Sequence, residues 1–207
     1  MNVDIIFFDS DFNNKEEFIS DEEKFQEYIS THSFEANFKE LLFSPPSLSK
    51  MNNKALFVGS GDEVIKNKDM LELGYSIGSE LKESCELNIY NLKEGSKPLI
   101  LGILLSQYNF DKYDSGDKKE EIEITFNKSL DYQKNLSKRD IIFWVRDLIN
   151  TPALDRSPEY FIKEVESISS NKDINIEIKD KQWLIDNNFG GVIGVSQGSV
   201  RDPYFLV

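Results

Sequence analysis

The stretch Pro98–Tyr108 constrains this chain more than any other. Leu99-Ile100-Leu101-Gly102-Ile103-Leu104-Leu105 is apolar nearly all round, and Pro98 suits the first turn of a helix. A helix without a polar face has to be packed deeply, so the rest of the chain must supply layers around it.

The segments before it can do so. Val3–Phe8 is apolar and β-branched, is bounded by Asp9-Ser10-Asp11, and predicts a buried strand. Phe18, Ile19, Phe25, Tyr28 and Ile29 are spaced for an amphipathic helix. Phe34, Ala36 and Phe38 alternate, and Leu41-Leu42-Phe43 runs into Pro45-Pro46, which predicts a β-ribbon. Ala55–Val58 reads as a short strand ending at Gly59-Ser60-Gly61. Leu71, Leu73, Ile77 and Leu81 predict a helix, and Leu87–Leu92 a strand. After the apolar helix, a polar segment, Asp111–Glu120, leads into the alternating strand Ile122–Phe126. Strand and helix taken in turn specify an α/β layer architecture.

The later residues repeat the pattern. Ser137 and Asp140 suggest a capping box for a helix over Ile141–Ile149. Thr151 is pushed toward extended geometry by Pro152, and Ser157-Pro158 supplies a cap and first position for the next helix. Phe161, Ile162, Val165 and Ile168 form its stripe. A strand at Ile174–Ile178, a short helix around Gln182–Asp186 and strands at Val192–Val195 and Tyr204–Val207 complete the reading. The expected division is an N-terminal domain over 1–135 and a second domain beginning over 136–207, with the Ile141–Ile149 helix as connector. An apolar strand needs neighbours on both sides to pair its backbone. The stop at Tyr204-Phe205-Leu206-Val207 therefore gives the expectation that these residues are the front part of a larger protein.

Composition closes off several functions. A net charge of −13 and a pI near 4.6 repel phosphate backbones and anionic membrane surfaces, so neither nucleic acid nor a membrane is an expected partner. One cysteine, Cys85, excludes an internal disulfide and a cysteine zinc cluster, and suits a reducing compartment. No basic region precedes the short apolar run at Ile5–Phe8, so no signal peptide is read there.

Candidate chemistry is sparse. The one histidine, His32, sits in Ser30-Thr31-His32-Ser33, which reads as a surface loop ending a helix. Asp111, Asp114, Gly116, Asp117, Glu120 and Glu121 resemble a calcium loop, but Tyr113 and Ile122 stand where oxygen ligands belong. Gly59-Ser60-Gly61 follows a strand, as phosphate-cradling turns do, but has neither the third glycine of a dinucleotide fingerprint nor a Gly-Lys-Ser/Thr run. Gly190, Gly191, Gly194 and Gly198 fit neither phosphate pattern. Asp9 and Asp11 read as exposed acids at a strand end. Asn127-Lys128-Ser129 and Asn135-Leu136-Ser137 match the glycosylation pattern incidentally.

One conjunction is more specific. Arg139-Asp140 opens a helix carrying Trp144-Val145-Arg146-Asp147-Leu148-Ile149-Asn150-Thr151-Pro152. Ser157-Pro158-Glu159-Tyr160 follows, and then Gly190-Gly191-Val192-Ile193-Gly194-Val195-Ser196-Gln197-Gly198-Ser199. In this order the segments resemble the leucyl aminopeptidase (cytosol aminopeptidase) family where its N-terminal domain meets its catalytic domain. Leu104–Tyr113 is similar to the buried helix and its exit in that N-terminal domain. The resemblance implies an N-terminal macro-like mixed sheet with flanking helices, then the first βα elements of a truncated zinc-exopeptidase domain.

It also implies a cytoplasmic hydrolase, a metallopeptidase that removes N-terminal residues such as leucine from peptides and is usually a homo-oligomer, a hexamer. Two divalent metals, zinc or manganese, serve the family; paired metals activate water and polarise the scissile carbonyl. The family's ligand motifs are an acid-and-lysine segment and an Asn-Thr-Asp-Ala-Glu-Gly-Arg segment, and nothing in residues 1–207 matches either. No catalytic, cofactor-binding or metal-binding residue is therefore assigned, Asp147, Asp155 and Glu159 included. No metal is expected on this chain, which is expected to be inactive alone. The competing expectation is a stand-alone α/β module that binds a nucleotide-like ligand or a partner, supported by Gly59-Ser60-Gly61.

Overall fold

A computed structural model describes residues 1–61, 65–92, 95–115, 122–127, 131–170 and 174–207, with the backbone alone at 170. The chain divides into two compact units, Met1–Trp144 and Val145–Val207.

Unit 1 is built on a five-stranded mixed sheet. In chain order its strands are β1 (Asn2–Phe8), β2 (Leu41–Ser44), β3 (Lys54–Gly59), β4 (Cys85–Tyr90) and β5 (Ile124–Phe126). Their order in space is β2-β3-β1-β4-β5. β1 lies parallel to β3 and β4, β4 is parallel to β5, and β2 runs antiparallel along the β3 edge. Strands joined in parallel need crossovers, and here these are helical. The helices are α1 (Lys15–Phe18), α2 (Glu22–Thr31), α3 (Asn67–Glu80) and α4 (Ser96–Leu105).

Alternation along β1 divides the core between the two faces of the sheet. Val3, Ile5 and Phe7 join Leu56, Val58 and Leu87 in a layer with Leu73 and Ile77 of α3 and Leu99 and Ile103 of α4. Ile6 and Phe8 join Ala55, Phe57, Phe25 and Ile29 on the other face. That second layer is aromatic: Phe57 packs edge-on to Phe8 at 5.4 Å and to Phe25 at 5.6 Å. Six of the ten residues of α4 are buried, as its lack of a polar face requires.

Burying α4 needs close contact with α3, and glycine provides it. A Cβ at Gly102 would stand 2.1 Å from the Leu71 carbonyl oxygen, and one at Gly74 would stand 2.1 Å from that of Leu99. Backbone meets backbone there, with no room for a side chain.

Several expectations need correction. The amphipathic segment from Phe18 to Ile29 is two helices. Between them Ile19 is extended and bridges Ser49, while the Ser20 and Lys50 amides donate to Leu48 and Phe18 carbonyls. Asp21 then starts α2 by accepting the Lys24 amide at 3.2 Å. The expected β-ribbon is present only as β2. Residues 34–38 form no strand, and Ala36 and Lys39 have positive φ. The Ser137 and Asp140 cap is absent, because helix α5 (Gln133–Asn150) begins a turn earlier. Tyr132 and Leu136 pack on the core, and the buried Asn135 amide donates to the Lys97 carbonyl at 2.9 Å, which anchors the earlier start.

Unit 2 contains α6 (Pro158–Ser170), β6 (Ile178–Lys179), α7 (Lys181–Asp186), α8 (Gly190–Ser196) and β7 (Phe205–Leu206). β6 and β7 form a two-stranded antiparallel pair. The strand expected at Val192–Val195 is instead helix α8. It follows α7 almost directly, with the Ile193 amide on the Phe189 carbonyl, and the Phe189 ring is held between Trp183 and Phe205 at 5.4 and 5.3 Å. Of the strand expected at Ile174–Ile178, only Ile178 lies in β6, and the preceding Glu177 exchanges both backbone hydrogen bonds with Val207. Leu148, Thr151 and Leu184 are the buried residues among those described in unit 2. No helix among the described residues is long and apolar enough to cross a membrane.

Candidate functional site

The most specific sequence segment forms a helix-break-helix join within unit 2. α5 ends at Asn150, where the last carbonyls of a helix lack intrahelical partners. The Thr151 hydroxyl and amide both donate to the Asp147 carbonyl, at 2.7 and 2.9 Å. The Arg156 guanidinium reaches back to the Leu148 and Ile149 carbonyls at 2.9 and 3.2 Å. A cation at a helix C-terminus is favoured by the helix dipole as well. Pro152 prevents continuation, and its carbonyl accepts the Asp155 and Arg156 amides. Ser157 then caps α6, its hydroxyl accepting the Tyr160 amide at 3.1 Å.

Glu159 lies in the first turn of α6. Its carboxyl is held below the usual range, first by its own backbone amide and then by Ser157, with Arg201 adding attraction. Arg201 also donates to the Leu154 carbonyl at 2.9 Å. Thr151, Arg156 and Ser157 are engaged in holding the two helix ends. Arg156 could have been singled out from sequence, since a basic residue just past a proline-stopped helix is positioned to cap it.

The glycine turn is similarly occupied. The Gly59 amide donates to the Glu40 carbonyl, the Ser60 amide to Phe8 and the Gly61 amide to Ala36, at 2.8–3.1 Å. A phosphate cradle requires such amides to point at a ligand. The Glu40 carboxylate accepts the Glu35 and Asn37 amides in the loop that packs over the turn. A Cβ at Gly59 would stand 2.0 Å from the Asn37 carbonyl oxygen, so that loop lies directly against the backbone of the turn.

The remaining candidates are dispersed. His32 is exposed at the end of α2, where Nδ1 donates to the Tyr28 carbonyl at 2.8 Å and the imidazole packs on the Tyr28 ring. Asp9 accepts the Asn13 amide, and Asp11 is exposed. Gly116, Asp117, Glu120 and Glu121 of the calcium-like run, and the Lys128-Ser129 part of one glycosylation pattern, lie outside the described residues. Gly190, Gly191, Gly194 and Gly198 have open space where a Cβ would be. Cys85 is buried beside a cavity of about 250 Å³ near Met1 and Lys54, and burial pushes its thiol up.

One polar residue escaped the sequence reading. Asp4 is fully buried in β1 and accepts Asn88 Nδ2 at 2.8 Å and Asn53 Nδ2 at 3.4 Å on Oδ1; Oδ2 has no partner among the described residues. The Tyr90 phenol is raised by its burial and, secondarily, by the Asp4 charge. The signal was a lone carboxylate inside an apolar run. It is one acid among neutral amides, which is no metal site. Among the described residues there is no group of three or more His, Cys, Asp or Glu side chains that could hold a metal ion. A metal pair held by carboxylates finds no fitting set among the described residues.

Comparison with known proteins supplies what these side chains do not. Residues 143–207 match the model of the cytosol aminopeptidase family, catalytic domain. A probable cytosol aminopeptidase of Clostridium perfringens (strain 13 / Type A) is 27% identical over 176 residues, covering 73% of this chain and 35% of that protein. The chain thus spans about a third of that relative's length. Among solved structures, the bottromycin maturation enzyme BotP in complex with Mn superposes with a TM-score of 0.76 at 14% identity, over 99% of this chain and 44% of its own. A tomato leucine aminopeptidase mutant gives 0.75 at 15% identity, over 99% and 47%. At such identities the two structures establish the fold, an α/β arrangement like the N-terminal region of leucine aminopeptidase. Family model and curated relative point to one kind of protein, the tomato structure shares its fold, and the chain is similar to the leucyl aminopeptidase (cytosol aminopeptidase) family, its residues 143–207 to that family's catalytic domain.

Proposed function

We propose that this chain is the N-terminal part of a leucyl aminopeptidase that hydrolyses N-terminal residues from peptides using two divalent metals, zinc or manganese. In this reading residues 1–135 are the N-terminal domain, and residues 136–207 are the connector helix and the beginning of the catalytic domain. The whole enzyme would act in the cytoplasm on peptide substrates as a homo-oligomer, a hexamer. The observation that carries the reading is the match of residues 143–207 to the catalytic-domain model, joined to a fold likeness over nearly the whole chain.

A metal pair would activate water and polarise the scissile carbonyl. No described residue set is suited to hold it, so the proposal assigns the metal ligands to parts of the relatives outside the match. What these residues contribute is the stiff join at Asn150–Ser157, which fixes where α6 begins.

The chain by itself is expected to show no turnover of leucine p-nitroanilide with manganese or zinc added. Metal-dependent release of p-nitroaniline by the purified chain would sink the inactivity claim. The stand-alone nucleotide-binding alternative gains nothing from the turn at Gly59–Gly61, whose three amides are already paired within the protein.

A further inference from the structure

The cavity beside Cys85 measures about 250 Å³, less than the roughly 300–1,000 Å³ of pockets for drug-sized ligands, so an occupant has to be small. It lies in unit 1, at the amino ends of the parallel strands. β1 runs between β3 and β4, which puts Val3 in the middle. Lys54 is its partner on one side; Cys85 comes two residues before its partner Leu87 on the other. Val3, Leu81 and Cys85 belong to the first core layer and Phe43 packs against it, so the cavity has an apolar wall.

The charged part of the lining has two signs, and they come from opposite directions. Lys54 opens β3, and its ammonium lies 4.5 Å from the centre of the Phe43 ring. No carboxylate pairs with it among the described residues. Glu80 ends α3 and Glu83 lies in the turn that leads into β4; among the described residues neither forms an ion pair. Lys82, between them, is engaged, its ammonium donating to the Ser79 carbonyl. The carbonyl end of α3 adds negative potential on that side. Charges of both signs are felt at the cavity wall. Burial does most to raise the Cys85 thiol; after it the Met1 amine and Lys54 lower the thiol, while Glu83 raises it.

A ligand with one charge suits one side of this lining and is repelled at the other. A zwitterion satisfies both sides, and an aliphatic body suits the wall between them. We propose that the cavity binds a free amino acid with an aliphatic side chain, its carboxylate at Lys54 and its ammonium at Glu80 and Glu83. The site lies outside residues 143–207, which carry the match to the catalytic-domain model, and the inference stands independently of the functional reading above. Lys54, Glu80 and Glu83 are exposed, so each ion pair contributes little and the affinity is modest.

The test is isothermal titration calorimetry of the whole 207-residue chain with four probes. These are L-leucine, isocaproate (no amine), isoamylamine (no carboxylate) and glycine (no side chain). L-Leucine is expected to bind with a Kd on the order of 1 mM, and at least tenfold more tightly than each of the others. Lys54→Met and Glu83→Gln are each expected to weaken leucine binding at least tenfold, while Lys54→Arg retains it. Lys68→Met, at an exposed position of α3 away from the cavity, should bind like the parent. In methyl NMR spectra leucine should shift the signals of Val3 and Leu81 and leave those of Val195 in place; this readout needs no variant to fold. Leucine binding weaker than about 10 mM overturns the proposal. Isocaproate or isoamylamine binding as tightly as leucine overturns it too, by showing that a single charge suffices. So do methyl shifts that spare Val3 and Leu81, which would place the ligand elsewhere.

Discussion

Asp4 is where a single residue carries most risk for the fold. It occupies the central strand of the sheet, fully buried, and two asparagine amides are its described partners. Asn88 is itself held, its Oδ1 accepting Asn127 Nδ2 at 2.9 Å, so the amides form a chain across β1, β4 and the end of β5. A buried carboxylate is tolerated when it is hydrogen-bonded and expensive when it is not. Asn88→Ala would leave Asp4 with only the long contact to Asn53. The expected loss is about 2–3 kcal/mol, seen as a lower urea midpoint at unchanged slope. An unchanged midpoint would mean that the carboxylate draws nothing from this amide.

Among the elements, the pairing of α3 with α4 is the most sharply specified. Gly102→Ala would force a methyl group to within 2.1 Å of a backbone carbonyl, and neither helix can yield locally. The expected destabilisation is about 3 kcal/mol or more, measured by chemical denaturation. A loss below about 1 kcal/mol would show that the helices can separate cheaply.

The same level shows what could be read in advance. β1, β3, β4 and α4 were legible because uninterrupted apolar runs leave one way to be buried. The Ser157-Pro158 start of α6 was legible because its cap is local chemistry. α8 was not, since Gly-Gly-Val-Ile-Gly-Val is β-branched and apolar and nothing local decides between strand and helix; Phe189 decides it, by packing between Trp183 and Phe205. The start of α5 was misplaced because its anchor, Asn135 on Lys97, is a contact between distant segments. The split of α1 from α2 likewise depends on Ile19 meeting Ser49. For the site, the helix-break-helix join was legible as a motif, while the capping of its helix ends by Thr151 and Arg156 was not, because those hydrogen bonds depend on where the chain turns after Pro152.

Across the whole molecule, the contrast in burial between the units predicts a contrast in stability. Local opening is governed by how much apolar surface an element buries. Amides of α6, α7 and α8 are expected to exchange with deuterium on the order of a hundredfold faster than those of β1, β3 and α4. Equal protection in both units would show that unit 2 is sustained by something other than its own packing.

The seclusion of Cys85 has a practical consequence. It is the sole thiol in the sequence, it is almost wholly enclosed, and its environment disfavours the reactive thiolate. A cysteine introduced on the outside of α8 would thus be the preferred point of attachment for a maleimide dye. Fluorescence could then report on that helix alone, without first engineering away the native sulfur.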